Sequence, residues 1–270
     1  MRRSCPFCCL GEAGAHTRQG AITRELSSVV LAITGKCRSR ATPTAATGTS
    51  LATVLVLFDL DGTLTDPYEG ITQCVTHALD RLGLASPDER GLRAFIGPPL
   101  QDQFAALGLD EVRVEQAITY YRDRFTQYGL YENSVYAGVA EALDVLHAAG
   151  VRMAVATSKP TEFATRIVQH FGLDAHLEFV AGATLDGTRR AKADIIGFAL
   201  EHLGASADQS VMVGDRSQDV KGAHAHGMRS IGVAWGYAEP GELQQAGVDL
   251  VVASPQDLVA SLLHQHSAAP

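Results

Sequence analysis

Six short apolar runs, most of them rich in valine, recur one at a time after residue 52. They are TVLVLF from Thr53, VRMAVAT from Val151, EFVAG from Glu178, SVMVG from Ser210, RSIGVA from Arg229 and VDLVVA from Val248. Each is short and almost continuously apolar, as expected of a strand covered on both faces. Helical patterns separate most of them. Val139, Ala142, Leu143 and Leu146 share one helical face, and PTEFATRIVQHFG closes an apolar stripe at Phe171 with Gly172 placed to cap it. Strand, helix and strand repeated in this order leave few folds open. The expectation is an α/β domain built on a doubly wound parallel sheet, with ligands binding beyond the carboxyl ends of the strands.

One stretch breaks the alternation. Between residues 69 and 136 no strand is expected, only helical spacing such as that of Ile118, Tyr121, Phe125 and Tyr128. Residues 69–136 are therefore read as an inserted all-helical cap over a core formed by 51–68 and 137–270, placed to exclude water and select substrates. The aromatic residues Tyr120, Tyr121, Phe125 and Tyr128 are assigned to packing within that insert rather than to stacking on a base. Residues 1–50 carry seven Lys or Arg against Glu12 and Glu25 alone and end in ATPTAATGTS, so a disordered extension is expected there. CPFCC near the start lacks the second well-spaced pair that a structural zinc site needs. Only Cys74 lies beyond residue 50, which leaves the body without a disulfide framework and suits a reducing cytoplasm.

The first strand runs directly into FDLDGTLTD, Phe58 to Asp66, a knot of three carboxylates, two hydroxyls and a glycine. Carboxylates this close repel one another unless a cation or a substrate makes use of them. Side chains two apart on an extended segment point the same way, so Asp59 and Asp61 face one pocket while Leu60 turns toward the core. Such a pair can divide labour. One carboxylate attacks phosphorus, and the other protonates the leaving oxygen and then activates water. Gly62 allows the tight turn that follows.

Three further stretches stand at or near later strand ends: ATSKP, GTRRAKAD and VMVGDRSQD. Together with D-x-D-G-T-L-T they resemble, in order, the four motifs of the haloacid dehalogenase-like (HAD) hydrolase superfamily, with Lys192 in the third. FIGPPL in the insert and LDGTRRAKADII bring the resemblance nearest to the phosphoglycolate phosphatase-like or 5′-nucleotidase-like branch, which has a helical cap between the first two motifs. The resemblance implies a HAD-type Rossmann-like core, an aspartyl-phosphate intermediate, Mg²⁺ and a small phosphomonoester substrate.

The later motifs also make chemical sense on their own. Thr157 ends a strand and Pro160 suits the first position of a helix, so Thr157, Ser158 and nearby N–H groups can cradle phosphate at a helix start. Lys192 supplies a charge to offset Asp59 and the phosphoryl group. Oxygen ligands from Asp59, Asp215 and the Asp61 carbonyl suit Mg²⁺, and Asp219, four residues on, acts directly, through water or as a helix-terminal carboxylate. His224 and His226 are two apart on a helix and point in different directions, so they are read as surface. Arg216 and Ser217 carry no assigned role.

A formal net charge of −8 and the absence of any apolar run near about 18 residues leave a small molecule as the expected partner, with no nucleic acid and no membrane. A phosphotransferase that delivers the phosphoryl group to an alcohol or protein hydroxyl remains an alternative. A non-enzymatic phospholigand-binding module is another, although simple anion binding gains nothing from Asp59 and Asp61. For the substrate, the insert offers Arg81, Arg90, Arg93, Arg113, Arg122 and Arg124 as cations for phosphoglycolate, of which Arg93 lies just before FIGPPL, and Phe95 and Ile96 as an apolar platform for a nucleoside 5′-monophosphate.

Overall fold

The computed structural model describes residues 55–268, so the extension expected over 1–50 lies outside the described residues. Eight strands are present among them. β1 (Leu55–Phe58) lies inside a six-stranded sheet; β2 (Thr65–Asp66) and β3 (Ser134–Val135) form a separate antiparallel pair. β4 (Arg152–Pro160), β5 (Val180–Ala183), β6 (Ser210–Gly214), β7 (Arg229–Val233) and β8 (Leu250–Val252) complete the sheet in the order β5-β4-β1-β6-β7-β8. Every pairing in that sheet is parallel. All six apolar runs become strands, and the sheet is the doubly wound one the alternation implies. β4 runs three residues beyond Thr157, so Pro160 occupies the helix-capping position and not the first helical one. The ladder to β5 shifts register between Thr157 and Pro160.

The insert enters through β2 and leaves through β3, whose register pairs Thr65 with Val135 and Asp66 with Ser134. A strand thus lies inside the segment where none was expected, because two residues are too few for any periodic pattern to register. Beyond this neck come α1 (Tyr68–Arg81), α2 (Glu89–Arg93), α3 (Leu100–Ala106) and α4 (Glu111–Arg124). The Asp88 and Asp110 side chains accept the Gly91 and Arg113 N–H groups, each at 2.9 Å, and so cap α2 and α4. α4 continues into a π-helical turn, Phe125–Gly129. Ile118, Tyr121 and Phe125 are buried as their spacing predicts, but Tyr128 is 59% exposed. The wider π turn carries it off the stripe.

The core helices are α5 (Val139–Ala148), α6 (Thr161–His170), α7 (Lys192–Leu203), α8 (Ser217–His224), α9 (Glu242–Gln245) and α10 (Pro255–Ala268). α5 buries Val139, Ala142, Leu143 and Leu146, the face read from the sequence, the valine and each leucine contributing roughly 1.5–3 kcal/mol. Residues of β1 alternate between two apolar cores. Val56 and Phe58 join Leu143, Leu146, Phe163 and Ile167 on one face; Leu55 and Leu57 join Ile195, Ile196 and Ala199 on the other. Covering both faces leaves the carboxyl ends of the strands as the place where polar groups gather. No helix among the described residues is long and apolar enough to cross a membrane.

Candidate active site

Every buried carboxylate and ammonium group among the described residues lies at those strand ends: Asp59, Asp61, Lys159, Lys192, Asp215 and Asp219. Charged side chains are almost never buried without partners, so this concentration marks the site. Asp59 follows β1 and is anchored by its N–H, which donates to Val213 O at 2.8 Å. Its Oδ1 accepts the Leu60 N–H at 2.7 Å, and its Oδ2 meets Lys192 Nζ at 2.9 Å. Leu60 is fully buried in the core, as the alternation requires. Gly62 takes φ +84, and a Cβ there would sit 2.2 Å from Asp215 Oδ2, so only glycine lets this loop lie against that carboxylate.

Asp215 follows β6. The Thr63 hydroxyl donates to its Oδ1 at 3.3 Å and the Tyr237 N–H to its Oδ2 at 2.7 Å. Asp219, in the first turn of α8, accepts the Arg216 N–H through Oδ2 at 3.0 Å and meets Lys192 Nζ through Oδ1 at 2.7 Å. Lys192 Nζ thus lies within ion-pair distance of both Asp59 and Asp219 and donates to the Ala156 carbonyl at 3.1 Å. Burial alone would lower its pKa, but Asp219 and Asp59 outweigh that and push it up. In this arrangement Lys192 balances carboxylates, and any hold on phosphate is shared with them.

Carboxylate oxygens of Asp59, Asp215 and Asp219 lie within 4.8 Å of one another. Burial raises the pKa of Asp215 well above the usual range, and Asp219 and Asp59 add to the rise; burial likewise raises that of Asp219 against the pull of Lys192. Four buried carboxylates face two buried lysines, which leaves two negative charges without compensation when all are ionised. A donor set made only of hard oxygens, with that charge deficit, fits a divalent cation. Asp61 stands apart from this triad. Its Oδ2 pairs with Lys159 Nζ at 2.8 Å, while its buried Oδ1 has no hydrogen-bond partner among the described residues. The Asp61 side chain therefore does not join the cation cluster, which leaves its carbonyl as the ligand expected from that residue. Burial raises the pKa of this carboxyl in spite of Lys159.

Thr157 is buried and its Oγ1 accepts the Lys159 N–H at 3.2 Å; Ser158 lines the pocket above Asp61. Lys159 escaped the sequence reading although it stands inside ATSKP. It is two residues after Thr157 on an extended strand, so the alternation that pairs Asp59 with Asp61 also turns it toward the site. The pocket is walled from the cap by Phe95, Tyr121 and Phe125, and Lys159 Nζ lies 4.5 Å from the centre of the Phe125 ring. Phe95 thus falls where the sequence put it. Arg93 does not: it is outside the pocket lining, with its guanidinium 4.7 Å from the centre of the Tyr237 ring. The lining arginines are Arg122 and Arg190. Arg122 donates to Leu185 O at 3.3 Å and has no carboxylate within ion-pair distance among the described residues; burial lowers its pKa. Arg190 reaches Asp102 at 3.6 Å. Arg122 is one of the insert arginines offered by the sequence, while Arg190 carried no signal, because it faces the pocket through contacts between distant segments.

A parallel α/β sheet whose first strand leads into two buried aspartates, with a buried lysine and an acidic triad beside them, defines an enzyme of phosphoryl chemistry. The family model described as haloacid dehalogenase-like hydrolase matches residues 56–233. The chain is 47% identical over 190 residues to a 5′-nucleotidase of Pseudomonas aeruginosa, covering 70% of this chain and 86% of that one. It is 43% identical over 197 residues to the tyrosine-protein kinase PtkA of Mycobacterium tuberculosis, covering 73% and 67%. A crystal structure described as a predicted phosphatase from Clostridium acetobutylicum superposes with a TM-score of 0.76 at 41% identity, covering 78% of this chain and 99% of that one. The chain belongs to the haloacid dehalogenase-like hydrolase family, and within it to the phosphatases.

Proposed function

We propose that the protein is a Mg²⁺-dependent phosphatase that hydrolyses small phosphomonoesters, of phosphoglycolate or nucleoside 5′-monophosphate type, by way of a phosphoryl group carried on Asp59. The observation that carries this reading is the gathering around Asp59 and Asp61 of every buried charge among the described residues. Asp59 attacks phosphorus, and the bond to the leaving oxygen breaks as Asp61 donates its proton there. Asp61 Oδ1, unpartnered beside the pocket, is the oxygen free to do so, and its raised pKa favours the protonated form that the step needs. Asp61 then takes a proton from water, which attacks the phosphorus of the Asp59 acyl phosphate; the bond from phosphorus to the Asp59 oxygen breaks, freeing the carboxylate and inorganic phosphate. Asp215, Asp59 and Asp219, with the Asp61 carbonyl, would hold the Mg²⁺, which supplies charge neutralisation and Lewis acidity at the phosphoryl oxygens. Thr157, Ser158 and Lys192 orient the phosphoryl group.

Hydrolysis of p-nitrophenyl phosphate with and without chelator tests this, with Asp59→Asn followed by circular dichroism. Turnover should vanish in the folded variant and on chelation; a folded Asp59→Asn protein that turns over normally rejects the mechanism. The relative named a tyrosine-protein kinase favours a second reading, transfer of the phosphoryl group to a hydroxyl in place of water. Adding glycerol or a tyrosine peptide to the same assay separates the two, since a transferase releases p-nitrophenol faster than inorganic phosphate. A cytoplasmic setting is supported by the buried thiol of Cys74, which forms no disulfide among the described residues.

A further inference from the structure

Arg216 follows Asp215 directly and precedes Asp219 by three residues, yet its side chain extends the other way, to the cap. Nη1 donates to the Ile96 carbonyl at 2.5 Å, and Nε donates to Glu242 Oε1 at 3.0 Å. Glu242 is itself fixed by the core, since it also accepts the Ser217 N–H at 2.8 Å and the Glu239 N–H at 2.9 Å. The guanidinium is therefore oriented before it meets the cap, and its partner there is main chain. Gly97 follows with φ +102, and a Cβ on it would lie 3.0 Å from Arg216 Cγ, so the loop seats this closely only as glycine. Tyr237 makes a second connection: its N–H holds Asp215 Oδ2, its ring lies under Arg93 of the cap, and its hydroxyl donates to Asp66 at the neck.

We infer that seating of the cap loop 95–99 and cation binding by the Asp59, Asp215 and Asp219 carboxylates are linked through Arg216, each strengthening the other. The inference rests on reading those carboxylates as the cation site. Arg216 is then a positioning residue: the segment that carries two cation ligands is ordered in part by a bond to the cap, and a loop that leaves its seat gives up that ordering. Linkage of this kind is reciprocal, so a cation that orders the segment must also favour the seated loop.

The experiment uses the full chain, isothermal titration with Mg²⁺, and amide hydrogen exchange of residues 95–101. Gly97→Ala disturbs the seat from the cap side and touches no carboxylate. Arg216→Lys conserves charge, so the field at the carboxylates is kept while the guanidinium that joins Ile96 to Glu242 is lost. Either change should weaken Mg²⁺ binding about five- to tenfold, within the usual range of coupling between sites. The double variant should be little worse than either single one, because both break the same connection. In the wild type, Mg²⁺ should slow exchange over 95–101, and in Arg216→Lys that response should shrink. Wild-type affinity in both single variants, or exchange over 95–101 indifferent to Mg²⁺, overturns the linkage. A wild-type protein that takes up no Mg²⁺ overturns the cation-site reading itself, and the linkage with it.

Discussion

Below the pocket, six charged side chains are buried within reach of one another, each delivered by a strand end or the first turn of a helix. Above it, the cap turns Phe95, Tyr121 and Phe125 downward and buries no charged side chain at all. The floor is held by ion pairs and backbone donors whose loss would strand a neighbour in low dielectric. The roof is held by apolar packing, whose loss costs contact area and leaves the remaining groups satisfied. Replacing a floor charge by an apolar side chain should therefore cost chemistry and stability together, unlike the shape-keeping Asp59→Asn, whereas damage to the roof should redistribute preference among substrates.

The sharpest way to break that contrast is Lys192→Met. It leaves Asp59 and Asp219 without their shared cation, and it should cost about 3–5 kcal/mol in urea denaturation as well as turnover. A stable, inactive variant would mean that the floor is tuned for chemistry alone. Next in size is the response to pH without metal. The folded-state pKa values of Asp61, Asp215 and Asp219 are raised, that of Asp219 to about 6, so the stability these groups contribute is full below their ordinary values and is lost as pH rises through the folded ones. In EDTA the Tm should fall from about pH 4 to about pH 7, and Mg²⁺ should restore more of it at the upper end. An EDTA curve parallel to the Mg²⁺ curve would remove the cation from the floor.

Effects in the roof should be smaller and selective. Arg122→Gln and Phe95→Ala should each change the ratio of kcat/KM between phosphoglycolate and nucleoside monophosphates by about tenfold while p-nitrophenyl phosphate turnover moves less. Uniform loss across a phosphometabolite panel would put these residues outside the selection of substrates. Smallest is Arg93→Ala, which removes a cation from the face of Tyr237 at the surface, a contact of about 0.5–1 kcal/mol. It should lower all substrates alike by a fewfold. Selective loss on phosphoglycolate would restore Arg93 to the site.

The contrast between floor and roof also explains what could be read in advance. Asp59, Asp61, Thr157 and Asp215 are each placed by local spacing against an apolar run, whereas Lys192 stands out only through the likeness of GTRRAKAD to the family's third motif, a lysine at a helix start carrying little signal alone. Lys159 obeys the same spacing rule, two residues from Thr157, but ATSKP reads as a strand followed by a helix start. The strand in fact continues through Pro160. Arg93 misled because nearness in sequence to FIGPPL says nothing about which side of the loop faces the pocket. Tyr128 left its stripe at a π turn that no hydrophobic period marks. Arg122, Arg190 and the reach of Arg216 to Ile96 depend on pairs up to 120 residues apart, and no local pattern encodes such a pair.

The neck formed by β2 and β3 has a consequence for how such a molecule can be altered. The chain leaves the core at Asp66 and returns at Ser134, and these two residues are cross-strand partners. Both ends of everything between them are thus fixed at one point, spaced as the ends of a hairpin are. A different helical segment spliced between 66 and 134 would inherit that spacing without disturbing any ladder of the six-stranded sheet. The catalytic floor is in this sense a socket, and the cap a cassette that can be exchanged to present the same chemistry to another substrate.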